Sequence, residues 1–351
     1  MYKFPRVNIG EELGQLPISR VTDEQVWEHL VSPVTKSLLG PLQGTPQTRV
    51  MDTVAGLFPG DEVSNLNDHK LHGGQTGFVR FPYLHCLHKA ENGYFIVKRD
   101  GMKVEAFCWF GDVFNGRGEL ILKVGLKDRR YDGTMRANDS ALLDYPYHEP
   151  QLHSPTHPQL KALELSIYTF MVSSRNSDVT GEPEFEKFFA NPFAFMDRPE
   201  LFLAYFKRAW KTKRSPGQIA APVFDVSRMI FRGATNIAAA YGYDIVDMAC
   251  SHYHVAKWAI SAGFVIDSAK HAAEFETLQT GLAKIRAAGQ PLNRFQQSWA
   301  CVMQNLPVEH RIAALDMGNA RWPQNNVDNE CFWVRKGVSA AAKKLYRPKA
   351  A

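Results

Sequence analysis

The alternation of apolar and polar residues is most regular between residues 222 and 266. Val223 to Arg228 alternate at period two, which is typical of a half-buried strand. Alanine-rich and apolar segments follow, and glycines separate them. The segments predict, in order, a strand, a helix, a strand, a helix and a strand: 223–228, 236–241, 245–250, 253–262 and 264–266. The pattern therefore predicts a βαβαβ unit over residues 222–266.

A β-hairpin is predicted before this unit. Two β-rich runs, 94–98 and 104–110, flank the dipeptide Asp100-Gly101, which is a strong turn signal. The apolar run 120–126 predicts a third strand. Together these segments predict an α/β fold of α+β type, with a mixed central sheet of about six strands and flanking helices.

Helical patterns occupy much of the remaining chain. Helices are expected in the segments 22–30, 159–172, 185–195 (as two short pieces broken at Pro192), 199–213, 269–287, 292–306 and 308–315. The predicted division has three parts. They are a loop-rich and helical segment 1–92, an α/β core 93–268 with a large insertion at 127–220, and a helical extension 269–351 with a basic tail.

Composition narrows the class of protein. The chain has 351 residues, 45% of them hydrophobic and 22% charged, so it can bury a sizeable core. Five scattered cysteines, an odd number, favour reduced thiols over a disulfide framework. The first residues have no apolar signal segment, and no apolar run is long enough to span a membrane. We therefore expect a cytoplasmic protein, and the net charge of +5 permits contact with acidic ligands.

The segment Arg232-Gly233-Ala234-Thr235 is the first candidate binding site. If it opens the predicted helix 236–241, its free backbone N–H groups suit a pyrophosphate, with Thr235 as a cap. Arg228 and Arg232 can then hold the diphosphate. Equally, the two arginines can pair with surface carboxylates, and Gly233 can simply relieve crowding.

These residues resemble a known family. The order of elements and the pair Gly263-Phe264 before the last strand resemble the second half of GNAT-type acyltransferases. The strand Asp225-Val226-Ser227-Arg228 is similar to the acidic-x-Ser-Arg strand of acyl-homoserine-lactone synthases, which share that fold. Of the family's pyrophosphate loop, only Arg232-Gly233-Ala234 is present. The resemblance implies an acyltransferase that uses acetyl-CoA, another acyl-CoA or an acyl carrier as the donor and a small-molecule amine as the acceptor.

Three residues are candidates for the chemistry. Asp225 can act as a general base or orient an amine, or it can be a solvent-facing strand residue. Tyr253 and His254 follow the predicted central strand at its carboxyl end, where open α/β sheets bind ligands, and either can protonate a leaving thiolate. The alternative for both is a polar turn that caps the next helix.

Two further patterns carry weaker signals. His85 and His88, and the triplet His148, His153 and His157, lack a matched second pair of ligands, so no metal site is expected. The helix 199–214 has a basic face, which favours a second hypothesis: a non-catalytic protein that contacts nucleic acid or a protein partner. A solvated helix face explains the same pattern.

Overall fold

The structure is a computed structural model that describes residues 17–39, 47–49, 76–83, 91–99, 103–112, 117–128, 160–169, 180–218, 226–266, 268–323 and 332–348. The chain forms two compact units. Unit 1 comprises residues 1–172, 225–247 and 336–347, and unit 2 comprises 173–224, 248–335 and 348–351. Two of the boundaries between the units, 247/248 and 335/336, therefore fall inside strands. The predicted three-part division stays a prediction.

Unit 1 contains a large sheet and several helices. Its strands are β1 (Gln47–Arg49), β2 (Thr76–Tyr83), β3 (Glu91–Arg99), β4 (Lys103–Asp112), β5 (Arg117–Asp128), β6 (Ala162–Thr169), most of β7 (Ile245–Ala249) and the end of β9 (Trp333–Gly337). Its helices are α1 (Asp23–Val26), α2 (Ser32–Leu39), α5 (Val226–Ala240) and α9 (Ala340–Leu345). A 3-10 turn, Pro17–Arg20, precedes α1, and a π turn, Trp27–Val31, joins α1 to α2.

The sheet of unit 1 is mixed. Strands β1 to β6 are neighbours in chain order, and each pair is antiparallel. β6 and β7 are parallel, with α5 between them in the chain, and β9 adjoins β7. The described residues of the two units together contribute nine strands. The predicted α+β class and mixed sheet are thus confirmed.

One face of this sheet is apolar because the strands alternate apolar and polar residues, and the pairing register puts the apolar residues of neighbouring strands on the same side. The buried side chains on it are Val104, Ala106, Cys108, Leu122, Val124, Leu126, Leu163, Leu165 and Val246. The 3-10 turn Pro17–Arg20 packs on β4 and β5, and α5 packs on β6. Asp128, a buried acid on this face, accepts a hydrogen bond from the Tyr243 hydroxyl at 2.6 Å. That hydroxyl accepts in turn from the Ile18 N–H at 3.1 Å, so the N-terminal turn is tied to the sheet.

Helix α5 shows that the first strand of the predicted βαβαβ unit is wrong. Residues 226–228, predicted as strand, form the first turn of this helix, and residues 223–225 lie outside the described ones. The helix is favoured because its apolar positions fall on one side: Val226, Ile230, Phe231, Ala234, Ile237 and Ala238 are all buried. The first strand of the unit is instead β6, which was predicted as part of a helix over 159–172. The order β6, α5, β7, α6 (Tyr253–Ser261), β8 (Val265–Ile266) remains strand, helix, strand, helix, strand.

Gly233 lies inside α5 and touches the π turn. A Cβ atom at this position would be 1.9 Å from the carbonyl oxygen of His29, a backbone atom that cannot move cheaply. Gly233 is therefore a packing glycine, and it does not open the helix. We expect Gly233→Ala to destabilise the protein by about 3 kcal/mol, since overpacking in a tight contact typically costs about 1–3 kcal/mol.

Chemical denaturation of Gly233→Ala can be matched with a control on the same helix. Asn236 is exposed, and Asn236→Ala should change the free energy of unfolding by less than about 0.5 kcal/mol. If Gly233→Ala unfolds at the same denaturant concentration as the wild type, the close approach of α5 to the His29 carbonyl is wrong.

Unit 2 is mainly helical. Its helices are α3 (Pro183–Ala190), α4 (Pro199–Ala209), α6, α7 (Ala269–Ala287) and α8 (Arg294–Met303), with 3-10 turns at Pro192–Phe195, Val308–His310 and Ala313–Leu315. In this unit β8 pairs antiparallel with β9 through Val265–Arg335 and Ile266–Val334. The predicted break at Pro192 and the helix 269–287 are confirmed. The predicted helix 308–315 is instead two short 3-10 turns, with Arg311 extended between them.

Aromatic side chains fill the core of unit 2. Trp299 of α8 is fully buried and stacks on Phe188 of α3, with ring centroids 5.3 Å apart and planes 6° apart. Phe189 and Phe206 meet the same indole edge-on. The indole Nε1 donates to the Arg214 carbonyl at 2.9 Å, so the buried polar atom of Trp299 is satisfied.

A buried ion pair borders this core. The Arg214 guanidinium donates to both carboxylate oxygens of Glu186, at 2.9 and 2.7 Å, and lies 3.9 Å from the centroid of the Phe189 ring. Burial by itself would raise the pKa of Glu186, but the hydrogen bonds and charge of Arg214 and the contacts with Thr180 lower it overall. The carboxylate is therefore ionised, and the pair links α3 to the chain beyond α4.

Candidate functional site

The second face of the unit 1 sheet is polar. Across β4 to β7 it carries Glu105, Lys123, Gly125, Lys127, Glu164, Ser166 and Asp247, which we call the polar sheet face. The register places Lys127 beside Glu164, and Glu164 beside Asp247. Glu105, Lys127 and Asp247 are buried, with relative exposures of 4%, 7% and 1%. Charged side chains are rarely buried to this extent, so the polar sheet face is the candidate functional site of unit 1.

Opposite charges alternate across the polar sheet face. Lys123 Nζ is 3.8 Å from Glu105 Oε1, and Lys127 Nζ is 3.9 Å from Glu164 Oε2. Both separations exceed ordinary hydrogen-bond length, so these ion pairs are loose. Glu164 is only partly buried, which leaves one carboxylate of this row within reach of a ligand.

Gly125 brings β5 close to the Ser166 hydroxyl. A Cβ atom at this glycine would be 2.5 Å from Ser166 Oγ and 3.6 Å from Glu105 Cγ. The absence of a side chain therefore leaves room for the Ser166 hydroxyl between β5 and β6. Ser166 comes two residues after Glu164 on the same face of β6.

The pairing of β6 with β7 is short. It covers Ala162–Ile245, Leu163–Val246 and Glu164–Asp247, whereas β6 continues to Thr169 and stays paired with β5 on its other side. Among the described residues no strand pairs with the β7-side edge of β6 from Leu165 to Thr169. An unpaired strand edge presents backbone N–H and C=O groups that an extended ligand can pair with.

Arg228 and Arg232 lie on the outer side of α5, where both are exposed. No described acidic residue forms an ion pair with either of them. Arg228 is in the first described turn of the helix. Arg232 is one turn further along. The predicted helix opening at 232–235 is wrong, because these residues lie inside α5 (Val226–Ala240).

The other predicted phosphate-site residues lie inside α5. Ala234 is fully buried, and the Thr235 hydroxyl donates to the Phe231 carbonyl at 2.7 Å and so does not cap the helix. Their backbone N–H groups belong to the helical ladder.

The structure places Tyr253 and His254 in unit 2, at the start of α6. Tyr253 is buried, its ring stacks on Phe275 at 5.2 Å, and burial raises the pKa of its phenol. His254 is also buried, and its Nδ1 is 2.9 Å from the Ser298 hydroxyl. The role of either residue as a proton donor stays a prediction.

Several predicted residues lie outside the described part of the chain: Asp225, His85, His88, His148, His153 and His157. Within the described residues, no group of three or more His, Cys, Asp or Glu side chains is placed to hold a metal ion. In the same part of the chain, no helix is both long and apolar enough to cross a membrane. The described cysteines Cys108, Cys250 and Cys301 are buried and not in disulfides.

The basic helix of the second hypothesis is α4 with the turn after it. Arg208 donates to Glu182 at 2.5 Å, and Arg214 is held by Glu186, so part of the positive charge is neutralised inside unit 2. Lys207, Lys211 and Lys213 remain exposed. The face offers fewer free cations than the sequence indicates, and its contact with nucleic acid stays a prediction.

Comparison with family models, curated proteins and solved structures found no match to this chain. The candidate site therefore has to be judged on its own chemistry. Sequence reasoning missed the polar sheet face, although a signal was present. Lys123, Gly125 and Lys127 alternate with Val124 and Leu126, as polar residues do on a strand that is buried on its other side.

Proposed function

We propose that the protein is an N-acyltransferase of GNAT type that transfers an acyl group from an acyl-CoA or acyl-carrier thioester to an amine. One observation carries the proposal: β6 pairs with β7 over only three residues and then presents an open edge beside the polar sheet face. The order of elements also supports it, because antiparallel strands are followed by β6, α5, β7, α6 and β8, and α6 is followed by Gly263-Phe264.

The open edge of β6 suits the donor. The pantetheine arm that carries the thioester is an extended chain with two amide groups. These amides can pair with the backbone groups of Leu165 to Thr169, as an added strand would. The thioester at the end of such an arm then lies along the strand that also carries Ser166 and Glu164.

The donor diphosphate fits the amino end of α5. Asp244 and Ile245 donate backbone hydrogen bonds to the Lys161 carbonyl, so the end of α5 and the starts of β6 and β7 lie together. Because α5 packs on β6, its amino end is directed toward the other end of that strand, where the open edge lies. The exposed Arg228, in the first described turn of α5, supplies positive charge that phosphates need.

Glu164 is the group that we assign to the acceptor. An amine is protonated near neutral pH and becomes a nucleophile when a base takes its proton. In the proposed reaction the ammonium gives a proton to the Glu164 carboxylate, the nitrogen attacks the thioester carbonyl, and the C–N bond forms. The C–S bond then breaks, its electron pair leaves with the sulfur, and the second proton that the nitrogen loses neutralises the thiolate, which leaves as a free thiol.

The proposal is tested by following thiol release from acyl-CoA in the presence of a panel of primary amines. We expect release to depend on both enzyme and amine, with an amide as the product. Salt-dependent retention on nucleic acid, with neither thiol release nor donor binding, would favour the non-catalytic hypothesis instead.

Arg228→Ala should weaken donor binding about ten- to a hundredfold, since charge-assisted hydrogen bonds to phosphate are lost. The matched control is Arg232→Ala, on the same side of the helix but one turn further from its opening, where the loss should be clearly smaller. Calorimetric titration with acyl-CoA measures both, and the melting temperatures should stay close to the wild type because both side chains are exposed. Equal losses for the two variants would contradict the assignment of the diphosphate to the first turn.

A further inference from the structure

Two histidines form a stacked pair inside unit 2. His252 and His254 are both buried, and their ring centroids are 5.9 Å apart with planes 27° apart. Phe193 stacks on the pair at 5.5 Å from the His252 ring, and Trp258 meets His254 edge-on at 4.8 Å. The pair therefore belongs to an aromatic stack that joins the start of α6 to the turn Pro192–Phe195.

The hydrogen bonds of the pair suit neutral rings. His252 Nδ1 is 2.9 Å from Ser251 Oγ, and His254 Nδ1 is 2.9 Å from Ser298 Oγ on α8. A hydroxyl can donate to or accept from a neutral imidazole, so either tautomer is satisfied at Nδ1. His252 Nε2 is buried and has no hydrogen-bond partner among the described residues.

A second segment, the turn at Gly217, packs against His252. A Cβ atom at Gly217 would be 2.5 Å from His252 Cε1, so this glycine lets the chain pass directly over the ring. The Gly217 N–H donates to the Phe189 carbonyl at 2.6 Å, and its φ of 78° favours glycine. His252 thus has the turn at Gly217 and the turn Pro192–Phe195 packed on it.

The charged groups around the pair offer it no anion. From α8 the facing charge is Arg294, and the chain before the Gly217 turn carries Arg214, which Glu186 engages. The turn Pro192–Phe195 has no titratable side chain. On α6 itself Lys257 lies near Tyr253. No described carboxylate forms an ion pair with either histidine, so a proton on either ring would be an uncompensated buried charge.

We propose that His252 and His254 form an acid-sensitive latch, which holds the Pro192–Phe195 and Gly217 turns against α6 while both rings are neutral and releases them when the rings are protonated. The latch does not require acyl transfer. Its conformational effect is a local opening of the segment 192–218.

The direction of the pH effect follows from the two states. Burial lowers the pKa of His252 to about 3, and burial, followed by the charges of His252 and Arg294, lowers the pKa of His254 well below its usual range. In the open segment both rings should titrate at about pH 6.5. The closed state is therefore fully favoured above about pH 6.5 and loses its advantage as the pH falls toward the closed-state values. Between pH 7 and 5 the opening equilibrium should rise about 25-fold per histidine, and several hundredfold for both.

Hydrogen exchange of the full chain at pH 7.0 and 5.0, corrected for intrinsic rates, tests the latch. We expect the protection of the segment 192–218 to fall about a hundredfold or more at pH 5.0 and to stay below that of α7 at both pH values, because the segment opens without unfolding of α7. The double variant His252→Phe/His254→Asn keeps an aromatic ring at one position and an amide for Ser298 at the other. It should remove most of this pH dependence.

The control is His310→Gln, which changes a partly exposed histidine of the same unit and should respond to pH as the wild type does. If the double variant does not fold, hydrogen exchange of the wild type at pH 7.0 and 5.0 decides whether the latch exists. Unchanged protection of 192–218 between pH 7.0 and 5.0, or a protection of 192–218 equal to that of α7 at pH 5.0, would overturn the proposal. The same loss in a folded double variant would also overturn it.

Discussion

Glu164→Gln should lower the rate of acyl transfer about 10²- to 10⁴-fold, the range expected for losing a positioned general base. Glutamine keeps the size of the side chain but cannot accept the acceptor's proton. Glu164 is partly exposed, and its Oε2 is 3.9 Å from Lys127 Nζ, so the substitution weakens an ion pair that is already loose. Donor affinity, measured by calorimetry, should stay within a few-fold of the wild type.

The pH profile separates this role from a structural one. As the pH rises toward the pKa of the amine, more acceptor loses its proton to water, and the deficit of Glu164→Gln should shrink. Steady-state rates with one amine across a pH series measure this. A deficit that stays constant at all pH values, or a parallel loss of donor affinity, would contradict the assignment of Glu164 as the base.

Trp299→Ala should destabilise unit 2 by about 3–5 kcal/mol, the usual cost of removing a buried tryptophan. The indole is fully buried, stacks on Phe188 and donates to the Arg214 carbonyl, so the substitution leaves both a cavity and an unpaired acceptor. Trp210, at the rim of the same cluster, is only partly buried, and Trp210→Ala should cost clearly less.

Urea unfolding, monitored by hydrogen exchange in α8, measures the free energy of unfolding of both tryptophan variants. A loss of less than about 1 kcal/mol for Trp299→Ala, or a larger loss for Trp210→Ala, would mean that the Trp299–Phe188 stack is not the centre of this core.

The error at α5 shows why a short window misleads. Val223 to Arg228 alternate at period two, but from Val226 onward the apolar residues recur at a helical period as far as Ala238. The longer pattern decides because a helix buries all of those positions against the sheet and the π turn. A six-residue window contains less than two turns of helix and cannot distinguish the two periods.

Strand β6 was missed for the opposite reason. Leu163, Leu165 and Ile167 alternate with Glu164 and Ser166, yet leucines of the same stretch also fit a helical period. The sheet settles the ambiguity, because β6 pairs with β5 on one side and β7 on the other. Such partners are distant in sequence, so tertiary pairing overrides local preference.

The candidate site was less predictable than the fold. The polar sheet face joins charged residues from four strands, and only the register reveals that Lys127, Glu164 and Asp247 share a row. Within β5 the alternation of Lys123, Gly125 and Lys127 predicts a strand with one polar side, but it cannot identify the neighbouring strands. Arg228 was predicted at the end of a strand, whereas it lies in α5, within three residues of Val226.

Calorimetric titration of the full chain with a thioether analogue of acyl-CoA, which cannot react, tests acyl-donor binding most directly. We predict binding of one analogue per chain with a dissociation constant below about 1 mM, in the usual range for enzyme substrates. At a hundred times that constant the ligand should add about 2.7 kcal/mol to the free energy of unfolding and raise the melting temperature. No binding heat and no rise in melting temperature, with short-chain and long-chain analogues alike, would contradict the proposal that this protein uses an acyl-CoA donor.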